Sequence, residues 1–154
     1  MTKIFYSLNK FKKFIKNKKK KITLTSGCFD IFHYGHAKFL NEASKISEYF
    51  IVALNSDKSI KNIKGINRPI INLKHRIGLL SSLNFIDVII VFNESTPLKI
   101  VKAIKPYYFV KGGDYNKNNL ELKKILLYSK KIKFLKYIKN LSTSKIIKKI
   151  KFNE

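Results

Sequence analysis

Five short apolar runs alternating with helical periodicities predict an α/β fold, a five-stranded parallel sheet with helices on both faces. Three observations carry this. Tyr49–Leu54 and Asp87–Phe92 are near-continuous apolar runs, as in strands buried on both faces. Between such runs the apolar spacing changes to about 3.6 residues. A length of 154 residues, 45% of them hydrophobic, suits one compact domain and is too short for two.

Leu8, Phe11, Phe14 and Ile15 fall at helical spacing over Leu8–Asn17, and the run Lys18–Lys21 follows. Residues 1–20 therefore read as an N-terminal helix and basic lead-in, and residues 21–154 as the domain. Ile22–Thr25 is a first strand ending at Ser26-Gly27, and Ala37, Leu40, Ala43 and Ile46 mark the next helix. Tyr49–Leu54 is a strand, Asp57–Ile63 a short helix, and Lys64–Asn72 a polar loop. Leu73–Leu83 returns to helical period before the strand Asp87–Phe92. Pro97–Ile104 is a helix with Pro97 in its first turn, after Thr96 as cap. The strand Tyr107–Val110 runs into Lys111-Gly112-Gly113-Asp114; Leu120–Tyr128 is helical, Ile132–Leu135 a strand and Ser142–Lys151 a last helix with a hydroxyl cap. In such sheets ligands bind beyond the strand C-termini, so the loops after strands matter most.

The formal net charge of +24 would ordinarily suggest a nucleic-acid or acidic-membrane partner. However, 31 Lys stand against two Arg, Arg68 and Arg76, and Lys, Ile and Asn together supply 68 of the 154 residues. A+T-rich codons produce that skew. A nucleic-acid binder would use Arg for its bidentate fork, so the Lys excess reads as drift on a solvated surface, and no nucleic-acid partner is expected. The single Cys28 cannot pair within the chain, which fits a reducing cytoplasm. No signal peptide is visible and no 18 consecutive apolar residues occur, so no membrane partner is expected.

The loop after the first strand reads Thr25-Ser26-Gly27-Cys28-Phe29-Asp30-Ile31-Phe32-His33-Tyr34-Gly35-His36. Two His three residues apart at a helix start, with Gly35 between them, form an anion site with titratable donors, because the first-turn N–H groups and the macrodipole favour negative charge. Surface or capping histidines would show the same spacing. Zinc is disfavoured, since no further His or Cys ligand pair stands at metal spacing. Cys28 reads as a small buried residue.

A strand, then T-x-G-C-F-D, then H-x-G-H opening a helix resembles the nucleotidyltransferase superfamily of small cytidylyl- and adenylyltransferases. Further segments narrow the likeness: Val52–Asp57, Lys64–Ile70, His75-Arg76, Phe92–Pro97 and Val110–Tyr115. Together they resemble the D-glycero-β-D-manno-heptose 1-phosphate adenylyltransferases, usually the C-terminal half of a bifunctional kinase/adenylyltransferase. The resemblance implies a Rossmann-like fold and transfer of AMP from ATP to the heptose 1-phosphate, giving ADP-heptose and pyrophosphate for the lipopolysaccharide core. It implies that His33 and His36 bind the triphosphate and stabilise the transition state. Thr25, Gly27, Phe29, Asp30 and Gly35 then shape the nucleotide pocket, and Asn55 and Lys111 meet the acceptor. Lys64, Arg68 and Arg76 are the cations expected on phosphate; two Arg in so Lys-rich a chain suggest a bidentate contact, although a helix Arg pairing with a carboxylate explains Arg76 as well. Gly112 and Asp114 belong to the loop after the fourth expected strand, where a plain turn is the other reading. Ser142, Thr143 and Ser144 resemble the family's S-T-T signature on the β/γ phosphates; helix capping predicts the same residues. Mg²⁺ is expected with ATP, held through substrate phosphates and not by a protein metal site.

Three departures stand out. Lys74 replaces a usual carboxylate, Ser144 a usual Thr, and Lys145 occupies a position often Asn in heptose enzymes and Lys in glycerol-phosphate cytidylyltransferases. A glycerol-3-phosphate-type cytidylyltransferase is therefore the alternative, and a nucleic-acid-binding protein on a relic transferase fold is the rival from another class. A separate heptose kinase is expected upstream, and a homodimer is compatible with the family.

Overall fold

The computed structural model describes residues 1–18, 20–113, 119–136 and 142–151, and it is built on one parallel sheet between two helical layers. In chain order the elements are β1 (Lys3–Phe5), α1 (Leu8–Ile15), β2 (Ile22–Gly27), α2 (Tyr34–Ser44), β3 (Tyr49–Asn55), α3 (Asp57–Lys64) and α4 (Leu73–Ser81). There follow β4 (Val88–Phe92), α5 (Leu98–Ile104), β5 (Tyr108–Gly112), α6 (Leu120–Leu126), β6 (Lys131–Leu135) and α7 (Thr143–Lys151).

The sheet has six strands, not the five expected. The five expected ones are β2 to β6; the addition is β1, whose three residues are too short to show a period. It forms because β4 offers it an edge: Lys3, Ile4 and Phe5 lie in register with Val88, Ile89 and Ile90. Lys3 N–H donates to the Asp87 carbonyl at 2.9 Å and the Thr2 hydroxyl to that of Ile86 at 2.8 Å. The lead-in thus contributes an edge strand as well as a helix. Thr96 also differs from expectation, since Pro97 takes the N-cap position of α5.

The strand order is β1-β4-β3-β2-β5-β6, parallel throughout. From β2 the chain builds outward through β3 and β4, then crosses to β5 and β6 on the other side. The order reverses between β2 and β5, which leaves a crevice at their C-terminal ends.

β3 is buried along its whole length. Its alternate side chains explain this: Tyr49, Ile51 and Ala53 pack with Phe11 and Ile15 of α1 and Val101 of α5, while Phe50, Val52 and Leu54 pack with Leu40 of α2 and Ile77 and Leu80 of α4. Ser7, Ser56, Asn72 and Asn119 cap α1, α3, α4 and α6, each accepting a first-turn N–H. His33 stands at the N-cap of α2 and makes no such side-chain bond. The helix that meets the crevice therefore keeps first-turn N–H groups without a side-chain acceptor.

Candidate active site

The loop from β2 to α2 is set by a close approach. An added Cβ at Gly27 would lie 2.9 Å from the Phe29 ring, so only glycine lets that ring fold back over the strand end. Phe29 (φ 47°) and Ile31 (φ 48°) are both left-handed, and between them Asp30 turns inward. Asp30 is 1% exposed, and its carboxylate accepts from Ile71 N–H (2.8 Å), Ile70 N–H (3.0 Å) and Arg68 Nε (2.7 Å). Burial alone would raise its pKa; the Ile71 and Ile70 N–H groups and the Arg68 guanidinium outweigh burial and hold it below the usual value. The Asp30 carbonyl accepts the Thr143 hydroxyl at 2.9 Å, which docks α7 onto the loop. Gly27→Ala should push the Phe29 ring aside and cost about 1–3 kcal/mol of stability, read by denaturant melting.

His33 and His36 stack with ring centroids 3.8 Å apart and planes at 18°. Phe29 meets the His36 ring edge-on at 5.4 Å, and Phe32 flanks it at 5.6 Å. Both Nδ1 atoms are enclosed and have no hydrogen-bond partner. A buried N–H without an acceptor is costlier than a buried lone pair, so the proton belongs on Nε2, the ring nitrogen left for a ligand. Burial, then His33 and Lys64, lower the His36 pKa to about 4 against a small opposing effect of Asp30; burial lowers that of His33 as well. Both imidazoles are neutral donors at neutral pH.

The pair faces a cavity of about 600 Å³ at the ends of β2 and β5. Lys64 reaches it from the end of α3, Lys111 and Gly112 from β5, and Ser142 to Lys145 from the start of α7. Lys111 Nζ lies 3.3 Å from the Glu121 carboxylate of α6. The Ser142 hydroxyl accepts Lys145 N–H at 3.3 Å. Two helix N-termini, three lysines and two imidazole donors converge on one space, a setting for a polyanion.

The profile of the family described as Cytidylyltransferase-like matches residues 24–149, which takes in most of β2, the loop and most of α7. The chain belongs to the cytidylyltransferase-like family. It is a nucleotidyltransferase-type fold by that membership. The chain is 40% identical over 152 residues to the bifunctional protein HldE of Aliarcobacter butzleri, covering 99% of this chain and 31% of that protein. It is 45% identical over 132 residues to HldE of Helicobacter pylori strain 26695, covering 85% and 28%. The chain thus spans under a third of the length of these curated relatives. Among solved structures it is similar to a lipopolysaccharide core biosynthesis protein from Thermoplasma volcanium, with TM-score 0.63, 27% identity and coverage of 79% of this chain and 99% of that one. A pantoate-beta-alanine ligase from Francisella tularensis shares the fold at TM-score 0.68 and 17% identity, over 98% and 77% of the two chains.

In this cytidylyltransferase-like chain, Gly27, Phe29, Asp30, His33, Gly35 and His36 line the cavity, as do Lys64, Lys111, Gly112 and the Ser142-Thr143-Ser144 trio. Asp114 lies outside the described residues. Four expected residues are placed elsewhere. Thr25 is fully buried and donates to the Val110 carbonyl at 2.8 Å, joining β2 to β5. Asn55 turns to the Ser59 hydroxyl at 2.9 Å. Arg68 clasps Asp30, and Arg76, 2% exposed, is engaged by the carbonyls of Ile71, Cys28 and Asn55 and by Asp57. The two guanidinium groups expected on phosphate therefore bind protein acceptors. The partner of Arg76 comes from α3, so Lys74 leaves its ion pairing intact.

Ser26, Cys28, Phe39 and Lys145 line the cavity without having been expected there. Cys28 is half-buried and not a core residue, and burial pushes its thiol pKa up. Phe39 stands one helical turn beyond His36, a spacing that could have revealed it. Lys145 directly follows the hydroxyl trio. Among the described residues no three His, Cys, Asp or Glu side chains group as a metal site, and the Asp30 carboxylate is already surrounded by protein donors.

Proposed function

We propose that the chain transfers AMP from ATP to a sugar 1-phosphate, D-glycero-β-D-manno-heptose 1-phosphate, giving ADP-heptose and pyrophosphate for lipopolysaccharide core synthesis. The observation that carries this reading is the stacked, neutral His33–His36 pair beside an uncapped helix N-terminus, facing a cavity lined by lysines. The names of the HldE relatives and of the Thermoplasma protein support the pathway.

An ionised oxygen of the sugar phosphate attacks the α-phosphorus of ATP; the bond from that phosphorus to the α,β-bridging oxygen breaks, and pyrophosphate leaves with the electron pair. The nucleophile needs no general base at neutral pH, so the residues serve alignment and charge stabilisation. His33 and His36 present Nε2–H to the triphosphate, the first turn of α2 presents backbone N–H groups, and Lys64 adds positive charge. Lys111 meets the acceptor phosphate in exchange for Glu121. Ser142, Ser144 and Lys145 meet the departing phosphates, while Thr143 holds α7 to the loop. Mg²⁺ would come in with ATP on phosphate oxygens, with no carboxylate cage from the protein, and would neutralise triphosphate charge.

The reaction belongs in the cytoplasm, where ATP and the product of a heptose kinase are available; among the described residues no helix is long and apolar enough to cross a membrane. Lys145 at the cavity favours, as second reading, a cytidylyltransferase acting on an alcohol phosphate such as glycerol 3-phosphate. Pyrophosphate release measured for each pairing of ATP or CTP with heptose 1-phosphate or glycerol 3-phosphate decides. Turnover with ATP and the heptose is expected; turnover with CTP alone would overturn the heptose reading.

A further inference from the structure

We propose that Arg76 is a positioning residue for the loop that carries His33 and His36, a staple set where β2 and β3 part to open the crevice. The proposal rests on the reading of the cavity as the site of nucleotidyl transfer.

The register shows where the sheet opens. Gly27 and Leu54 are the last paired residues of β2 and β3, and the next pair would be Cys28 and Asn55. In place of a further ladder bond, Nη1 of Arg76 donates to both of their carbonyls, at 2.7 Å to Cys28 and 2.8 Å to Asn55. Nε donates to the Ile71 carbonyl at 3.0 Å and Nη2 to Asp57 Oδ1 at 2.7 Å. One planar group thus joins two strand ends to the start of α4 and to α3. None of it reaches the cavity, whose lining excludes Arg76.

The Cys28 carbonyl is a sensitive point to hold. The next residue, Phe29, is left-handed at φ 47°, and its ring both covers Gly27 and meets His36 edge-on at 5.4 Å. A shift at Cys28 therefore moves Phe29 and, through it, the His36 ring and the His33 ring stacked on it. A lysine ammonium could bond one or two of these acceptors but cannot span them in one plane from a fixed fork. This accounts for an Arg at this position in a chain with 31 Lys and two Arg.

The test compares Arg76→Lys, Asp57→Asn and Leu80→Ala in the full chain. Asp57→Asn removes the charge partner, and with it one of the two acceptors that meet Arg76 Nη2 and the Leu73 N–H, and leaves the carbonyl bonds; Leu80, on the same helix and fully buried, provides general destabilisation and removes none of the hydrogen bonds of Arg76. Thermal melting, kcat and KM for ATP from pyrophosphate release, and NMR pH titration of the His33 and His36 rings are measured. Arg76→Lys should fold and lose about 10- to 10²-fold in kcat, with KM for ATP changed far less, as expected for misplaced donors. Its His36 should titrate closer to an ordinary histidine, because the loosened loop admits water. Asp57→Asn should melt earlier, because a buried Arg76 loses its carboxylate, yet keep kcat per folded molecule within about fivefold while the carbonyl bonds hold the loop, and Leu80→Ala should keep both kcat per folded molecule and the parental titration. A folded Arg76→Lys with parental kcat and parental titration overturns the proposal, as does an equal loss in Asp57→Asn or Leu80→Ala, or an Arg76→Lys that never folds, which would mark Arg76 as purely structural. The histidine titration needs no substrate, so absence of turnover in the parent would remove the proposed function and still leave the role of Arg76 decided.

Discussion

Replacing His36 with alanine is expected to lower kcat for nucleotidyl transfer by about 10²–10³-fold while the chain still folds, as for loss of one preorganised donor at a developing charge. The ring is held on one side by Phe29, on another by Phe32 and over its face by His33, so its Nε2–H is aimed before substrate arrives. No reorganisation is then needed at the moment of reaction. His33→Ala should cost a comparable factor, and the double variant less than the product of the two, because each ring orients the other. Near-normal turnover in either single variant would remove that histidine from its role. The pH profile provides a second check. Burial, His33 and Lys64 place His36 near pKa 4 in the free protein, and kcat/KM reports the free enzyme's groups. It should therefore show no inflection from His36 between about pH 8 and 5; an inflection near pH 6 belongs to the second ionisation of the sugar phosphate, at about 6, and an NMR titration that places the His36 ring itself at an ordinary histidine value would mean that the ring is solvated.

Much of this fold and site was legible before the structure, and the limits have physical causes. β3 and β4 declare themselves because strands buried on both faces must be apolar at nearly every position. β1 does not, because Lys3-Ile4-Phe5 becomes a strand only through the edge that β4 offers, a long-range fact absent from three residues. The His pair was legible because its geometry is local: three residues along the start of one helix suffice to bring the rings together. The arginines show the opposite case. Their rarity pointed to a bidentate phosphate contact, but the fork suits carboxylates and carbonyls as well as phosphate. Which acceptor it meets depends on residues far along the chain: Asp30 for Arg68, Cys28 and Asn55 for Arg76. Thr25 and Asn55 likewise stand beside the pocket in sequence while their side chains point to Val110 and Ser59.

Asp30→Ala should be the most destabilising single change among the residues of this loop, by about 3–5 kcal/mol, because it leaves a largely buried Arg68 without its carboxylate and the Ile70 and Ile71 N–H groups without an acceptor. At about 2–4 °C per kcal/mol for a chain of this size, the melting temperature should fall by about 6–20 °C. The carboxylate also gives the pH response a definite sign. Its folded pKa is held below the unfolded value of 3.8, so its stabilisation is full above that value and is lost as pH falls through the depressed folded pKa. His36 acts in a higher window. Its folded pKa of about 4 lies below the unfolded 6.5, so protonation favours the unfolded chain and stability declines as pH falls from 6.5 to about 4, then levels. Acid denaturation of the parent should therefore show an early decline that His36→Phe reduces, His33 supplying the rest, and a later one that Asp30→Asn reduces, Glu94 supplying part of it, each read by thermal melts across pH. Retention of the full early decline in His36→Phe would show that the His36 imidazole is not its source. A parental melting temperature in Asp30→Ala would show that the loop is held in place without this carboxylate, by the Arg76 and Thr143 bonds to its carbonyls and the packing of the Phe29 ring.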